Sequence, residues 1–476
     1  MAIIGREDEI EILSEIFKAR EPHLVAVYGR RRIGKTYLVR NFFEKQIAFE
    51  VSGLHNASQQ EQLENFTNRF APAKGKRRSI QPPQTWLQAF QLLITYLEPQ
   101  LKKGKKIIFF DEFPWLDTPR SGFMQAFENF WNTWASRQKN LAVIICGSAA
   151  AWMIRKVVNN KGGLHNRITR RIRLLPFTLY ETECYLQYRN INLDKHQILQ
   201  LYMAMGGVPH YLKEIKRGES ATQAIDRICF KKDGLLTDEF KNLYTSLFDN
   251  ATVHTSIIAA LAKKPMGLTR NEMLKAGRLS SGGGFTRVLE ELAESGFIMA
   301  YTPFGKTIKD SLYKLTDEYS LFYIKFIAGA KTTGAGTWVK LSATSSWKSW
   351  SGYAFESICL KHIWQIKKAL GISGIHTQES VWHNRGRNEK GAQIDLLIDR
   401  NDRTINACEI KFSGDTFEIT KSYKADLENK VKAFKYISKT RKTIFLTMIT
   451  TYGVKNIENF AGFVNNEVKM EALFTK

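Results

Sequence analysis

The sequence predicts a multidomain α/β protein in four parts: a parallel sheet with its helices (1–180), a helical lid (181–249), a winged helix (250–328) and a second α/β domain (329–476). Three observations carry this. A chain of 476 residues is long enough for two to four domains. Within the first 180 residues, the short apolar runs 23–29, 106–111 and 141–147 end in Gly or Asp. Stretches of helical period separate them, as crossover helices separate buried parallel strands. Near 330, the run Ala-Gly-Ala-Lys-Thr-Thr-Gly-Ala-Gly (328–336) reads as a flexible linker before the pattern begins again.

Composition removes several classes. Hydrophobic residues make up 43% and aromatic residues 12%, so large cores can be buried and a disordered chain is excluded. Lys and Arg outnumber Asp and Glu by 70 to 46, and the net charge of +24 predicts a polyanionic partner. No apolar run approaches the ~20 residues of a membrane span. No basic helix carries a broad apolar face, so the expected partner is nucleic acid, DNA in particular, and not a membrane. The N-terminus turns acidic at Glu7-Asp-Glu9 before a signal core can form. Five cysteines (146, 184, 229, 359, 408) lack paired spacing, which suits reduced thiols and a cytoplasmic location. Nine histidines show no zinc spacing, and no Gly-x-Ser-x-Gly elbow is present.

The first part carries the clearest chemistry. Gly29-Arg30-Arg31-Arg32-Ile33-Gly34-Lys35-Thr36 fits G-x-x-x-x-G-K-[ST] between a strand (24–28) and a helix (36–43). Backbone N–H groups of such a loop wrap phosphates at a helix N-terminus. Lys35 is expected on the β/γ-phosphates of ATP, and the Thr36 hydroxyl on Mg²⁺. The run Ile-Ile-Phe-Phe (107–110) leads into Asp111 and Glu112, a Walker B element. Asp111 is expected to hold Mg²⁺, and Glu112 to polarise the attacking water. Ser148, after the third apolar run, is placed to orient the γ-phosphate or that water. The segment 155–173 holds seven basic residues and no acid: Arg155, Lys156, Lys161, Arg167, Arg170, Arg171 and Arg173. Arg167 is the choice for an arginine finger offered to a neighbouring copy in a homo-oligomer, although a solvated or DNA-facing patch suits the run equally. Lys74-Gly-Lys-Arg-Arg78 reads as an exposed insertion.

With Ile4-Gly5-Arg6-Glu7, the Walker elements and Gly206-Gly-Val-Pro209, the chain resembles the archaeal-type P-loop ATPases, neighbours of the AAA+ and STAND ATPases. The resemblance implies that Arg6 and Pro209 flank the adenine. It also implies a winged helix and a restriction-enzyme-like C-terminal domain, and Lys314–Tyr323 is similar to the exit from that winged helix.

The remaining parts follow in order. Residues 181–248 read as helices. Helical patterns at 256–262, 269–276 and 286–295, with Thr269 as an N-cap, precede extended runs at 297–303 and 310–315; three helices then a hairpin is the order of a winged helix. Its third helix, with Arg287, is expected in the DNA major groove, and Lys306 and Lys309 on the wing against phosphate, with packing alone as the alternative. A helix over 347–367 leads to strand-like runs at 393–398 and 404–412. Glu409 and Lys411, two apart, share a strand face, and pairing brings Asp395 beside them. Two carboxylates and a lysine suit a Mg²⁺ or Mn²⁺ site for phosphodiester hydrolysis, with Glu356 as a further ligand. The arrangement resembles the PD-(D/E)xK nucleases, with Gln393-Ile394 standing where a proline can precede the Asp. Either an intact cutting site or a degenerate, binding-only domain is compatible. His383 reads as a loop residue. The functional expectation is an ATPase that binds and cuts DNA; the alternative is an ATP-controlled switch whose C-terminal domain binds without catalysis.

Overall fold

The computed structural model describes the chain apart from residues 1, 71–80, 160–161, 249–250, 278, 331–333 and 385–390. The insertion at 74–78, Lys161 and the middle of the 328–336 linker lie outside the described residues. Two compact units are formed, Met1–Leu175 and Pro176–Lys476.

In the first unit, β1 (His23–Tyr28), β2 (Ile47–Ser52), β3 (Lys106–Asp111), β4 (Leu141–Gly147) and β5 (Arg170–Arg173) form one parallel sheet, in the order β2-β3-β4-β1-β5. Alternation sorts the side chains of β1 between two cores. Leu24 and Ala26 pack with Phe110, Val143 and Ile145 on one face. Val25 and Val27 pack with Phe109, Ala142 and Ile144 on the other. The helices Trp86–Leu101 and Phe123–Thr133 cover the first face with Phe90, Phe127 and Phe130. Glu7–Lys18 and Lys35–Phe42 cover the second with Leu13, Ile16, Leu38 and Val39. β5 is a strand that the sequence pattern did not suggest. In Arg170-Arg-Ile-Arg173 only Ile172 is buried, the profile of a charged edge strand. Part of the basic run is therefore sheet, not a free segment. Because β4 lies between β1 and β3, the ends of the loop-bearing strand and of the two strands with polar tips meet at one edge.

The second unit begins with the expected helices, Leu179–Tyr188, Lys195–Met205, Pro209–Leu212, Ala221–Phe230 and Glu239–Thr245. Next come the helices Ala251–Ala262, Arg270–Gly277 and Gly283–Glu294, with an antiparallel sheet of β6 (Leu268–Thr269), β7 (Ile298–Tyr301) and β8 (Leu312–Leu315) in the order β6-β8-β7. Thr269 does cap the second helix: its hydroxyl accepts from Glu272 N–H at 3.3 Å, and its own N–H donates to Glu272 at 2.8 Å. A mixed sheet closes the chain, with β9 (Thr377–Asn384), β10 (Ala392–Arg400), β11 (Thr404–Lys411), β12 (Thr443–Thr450) and β13 (Asn466–Lys469) in the order β13-β12-β11-β10-β9. Helix Ser345–Lys361 packs Phe355 and Ile358 toward Leu396 and Cys408. Helix Lys421–Ser438 packs Phe434 on the other face with Trp382, Ile394 and Ala407. The single helix expected over 347–367 is two, Ser345–Lys361 and Ile363–Ala369, parted at His362. His383, expected in a loop, lies on β9 opposite Gln393. One apolar core runs through all three segments of this unit, from Leu199 through Tyr244 and Phe297 to Phe355. No helix among the described residues is long and apolar enough to cross a membrane.

Candidate functional site

The phosphate loop is built by backbone geometry before any side chain acts. Gly29 has φ +146°, and a Cβ there would lie 2.2 Å from the Leu174 carbonyl oxygen, so only glycine fits. Gly34, φ +92°, turns the chain into helix Lys35–Phe42. Lys35 is buried at 6% exposure; its ammonium donates to the Arg30 carbonyl at 2.9 Å and to Ser148 Oγ at 3.2 Å. Thr36 Oγ1 donates to Asp111 Oδ2 at 2.9 Å. A hydroxyl and a carboxylate so placed at the mouth of a phosphate loop are the hard oxygen donors that Mg²⁺ takes, so the residues fit that ion.

The next link comes from topology. β4 ends between β1 and β3, so Ser148 stands between the lysine and the acid. Its hydroxyl accepts from Lys35 and donates to Glu112 Oε1 at 2.7 Å, while its N–H donates to Glu112 Oε2 at 3.2 Å. Glu112 itself has φ +44° and ψ +46°, left-handed and unfavourable for a residue with a Cβ. The bonds to Ser148 hold it there. Burial pulls the Lys35 ammonium below its ordinary pKa, with the Arg31 guanidinium adding to the effect and Glu112 and Asp111 opposing it. Cys146 on β4 is buried beside these groups, and burial pushes its thiol up.

The arginines divide. Arg6 is buried and donates to the Ile33 carbonyl at 3.3 Å, which ties the N-terminal segment to the phosphate loop. Arg30 is buried at 2% exposure. Arg31 lies over the Trp115 ring, 5.4 Å from its centroid. Arg32 is exposed, with φ +70°. Arg167 is exposed on a turn, its N–H donating to Leu164. Pro209 belongs to the second unit, where it opens the helix Pro209–Leu212 at a position whose missing N–H costs nothing.

Residues 3–215 match the model of a family described as an ATPase domain predominantly from Archaea. This part of the chain is an archaeal-type ATPase domain. An uncharacterized protein of Methanocaldococcus jannaschii, MJECL04, is 23% identical over 436 residues, 90% of this chain and 92% of that one. An uncharacterized ATP-binding protein of the same organism, MJ0423, is 37% identical over 43 residues, 9% of this chain and 73% of that protein. Among solved structures, the Walker-type ATPase PABY2304 of Pyrococcus abyssi aligns with a TM-score of 0.50 and 16% identity, over 68% of this chain and 96% of that one. That likeness shows the fold.

Beyond the ATPase domain, the second unit holds another charged cluster. Asp395, Glu409 and Lys411 come together where β10 bulges between Ile394 and Leu397. Asp395 Oδ2 accepts from Ile410 N–H at 3.0 Å, and Oδ1 from Gln393 at 3.2 Å. Glu409 is 2% exposed and holds three donors: Lys411 at 2.9 Å, Lys430 at 2.8 Å and the Tyr423 hydroxyl at 2.7 Å. Burial, with Glu409 and Glu356 nearby, raises the Asp395 carboxyl to about 7. Burial also pushes Glu409 up, but Lys411 and Lys430 outweigh it and its net shift is downward. Lys411 sits above its ordinary value because Glu409 and Asp395 outweigh its burial. Glu356, considered as a metal ligand, accepts from Lys314 of β8 at 2.6 Å, both side chains being buried. Among the described residues no group of three His, Cys, Asp or Glu side chains is placed to hold a metal ion, and here the carboxylates of Glu409 and Glu356 are paired with lysines. Sequence reading missed Tyr423 and Lys430. Their seven-residue spacing, two helical turns on one face, was the available signal.

Proposed function

We propose that the chain is an ATP-hydrolysing protein that binds DNA and cuts it with its second unit. In the ATPase domain, 29–36 hold the phosphates, Lys35 meets the β/γ oxygens, and Thr36 and Asp111 would hold Mg²⁺, which supplies neutralisation of phosphate charge. Glu112 accepts the proton of the attacking water, and Ser148 fixes its direction. Residues 250–328 act as a winged helix, with Arg287 toward the major groove and the exposed Lys306 and Lys309 toward phosphate. The net charge of +24 supports a polyanionic partner, and the unpaired cysteines support a cytoplasmic setting.

Cutting rests on one observation: two carboxylates and a lysine, Asp395, Glu409 and Lys411, converge at the bulge of β10. A second reading, an ATP-controlled switch that binds DNA or a partner without cutting it, is favoured by the saturation of Glu409 and by the Lys314–Glu356 pair. Incubation of the full chain with linear, circular and single-stranded DNA separates them. The reactions contain Mg²⁺ or Mn²⁺, with and without ATP, beside Lys411→Ala. Cutting that disappears in the variant supports the nuclease; binding without cutting in every condition selects the switch. Failure to bind DNA at low salt removes the nuclease and leaves the switch only with a partner other than DNA.

A further inference from the structure

Arg31 is the one basic residue of the phosphate loop whose position the nucleotide reading leaves unexplained. Arg30 is buried, and its carbonyl is tied to Lys35. Arg32 points outward in a left-handed turn. Arg31 is half-buried, and among the described residues it forms neither a hydrogen bond nor an ion pair; its guanidinium rests on the Trp115 face at 5.4 Å. A cation held only by an aromatic face is weakly held. Such contacts are weaker than a bidentate bond to phosphate.

The place of that ring matters more than its identity. Trp115 stands three residues after Glu112, and its N–H donates to the Glu112 carbonyl at 2.9 Å. Its own carbonyl accepts from Gln62 at 2.9 Å, and His55 meets the ring edge at 5.0 Å, so the platform is fixed. Arg31 is close enough to Lys35 for its charge to act there. The guanidinium therefore lies within electrostatic reach of the phosphate-loop lysine, on a ring whose own backbone is tied to that of the Walker B acid. In a P-loop ATPase the γ-phosphate sits between those two groups.

We propose that Arg31 is the arginine finger of its own chain, exchanging the Trp115 face for the γ-phosphate oxygens of bound ATP. This rests on the nucleotide reading of residues 29–36. In the step it serves, the oxygen of water bonds to the γ-phosphorus while the bond to the β,γ-bridging oxygen breaks. That electron pair leaves with ADP, the proton of the water goes to Glu112, and Arg31 neutralises charge gathering on the remaining γ-oxygens. No neighbouring copy is required, so the assignment differs from a finger at Arg167.

The test uses the full chain with Arg31→Ala, Arg31→Lys and Trp115→Phe. Steady-state ATP hydrolysis is measured beside the affinities for ADP and for ATPγS, and tryptophan fluorescence is followed during both titrations. Arginine fingers raise turnover by about 10³-fold or more. Arg31→Ala is expected to lower kcat at least ~100-fold, to leave ADP affinity within about threefold, and to reduce the preference for ATPγS over ADP about tenfold. Arg31→Lys should recover part of kcat, and it serves if the alanine variant folds poorly. ATPγS, but not ADP, should change the fluorescence, and Trp115→Phe and Arg31→Ala should each abolish that change. Mixing Arg31→Ala with Lys35→Ala should restore no activity. Equal loss of ADP and ATPγS binding, an unchanged kcat, or activity recovered by mixing would each overturn the assignment. If the wild type turns over too slowly to measure, the ATPγS preference and the fluorescence change still decide it.

Discussion

Removing the Ser148 hydroxyl isolates the contribution of the relay between Lys35 and Glu112. The hydroxyl donates to one charged group at 2.7 Å and accepts from another at 3.2 Å. Hydrogen bonds to charged partners contribute about 1.5–3 kcal/mol each, and the longer one belongs at the low end or below. Ser148→Ala keeps the backbone N–H that reaches Glu112 Oε2. The acid is therefore loosened, not released, and the loss should not exceed about one good charged bond. At about 1.4 kcal/mol per decade, kcat is expected to fall roughly 10- to 100-fold. ADP affinity should change by less than about threefold, because the backbone cradle of 29–36 is untouched. Phosphate release under saturating ATP and a calorimetric ADP titration read the two quantities separately. A kcat within about twofold of wild type would refute the relay, and so would a loss of ADP binding as large as that of Lys35→Ala.

Other expectations follow from the same geometry. Glu112→Gln should retain ATP binding while hydrolysis drops by about 10²–10⁴-fold, seen as ATP that stays bound without releasing phosphate. Gly29→Ala places a methyl 2.2 Å from the Leu174 carbonyl oxygen. It should cost about 2 kcal/mol or more in a thermal or denaturant melt and abolish nucleotide binding together with that stability. Asp395 has its carboxyl raised from 3.8 to about 7. The folded chain therefore binds the extra proton between those values, and stability of the second unit should fall as pH climbs through that window. Asp395→Asn should flatten the slope, and melts at pH 5 and pH 8 without divalent cations measure it. If Lys306 and Lys309 meet phosphate, replacing each by Ala should reduce the slope of log K against log salt by about 1, read by fluorescence anisotropy on duplex DNA.

The parts legible in the sequence are those whose chemistry is local. Residues 29–36 carry their loop, their helix start and the Lys35 and Thr36 side chains within eight positions, and Asp111 and Glu112 end one apolar strand. Even the E-x-K alternation of β11 is local, as two residues on one strand face. What the sequence hid is long-range. That Ser148 bridges Lys35 and Glu112 follows from the insertion of β4 between β1 and β3, a topological fact with no local mark. Arg31 and Trp115 are separated by the whole of β2 and β3, and nothing in either segment announces the other. β5 escaped because an edge strand with one buried residue in four has no period to detect. Lys430 was masked by its company: Lys421, Lys424, Lys432 and Lys435 share its helix, and a run of lysines reads as a solvated face.

The two charged clusters differ in how readily they can admit a cation, and the difference bears on function. At the ATPase site, Mg²⁺ has to displace the Thr36 hydroxyl from Asp111, a bond worth about 1.5–3 kcal/mol at most, and the hydroxyl itself remains as a ligand. At Glu409 the carboxylate is satisfied by two ammonium groups and a phenol, and Glu356 is held by a third ammonium within a buried pair. Breaking a buried charge pair typically costs about 3–5 kcal/mol, because the partner is left uncompensated. A cation at the first site would therefore meet little resistance, whereas the second resists one unless something else takes up its lysines. A phosphodiester backbone is a polyanion able to do so. DNA engagement, if it occurs in the second unit, should therefore precede any divalent cation at Glu409, and a cation titration that shows binding only with DNA present would distinguish this order from a site that is permanently closed.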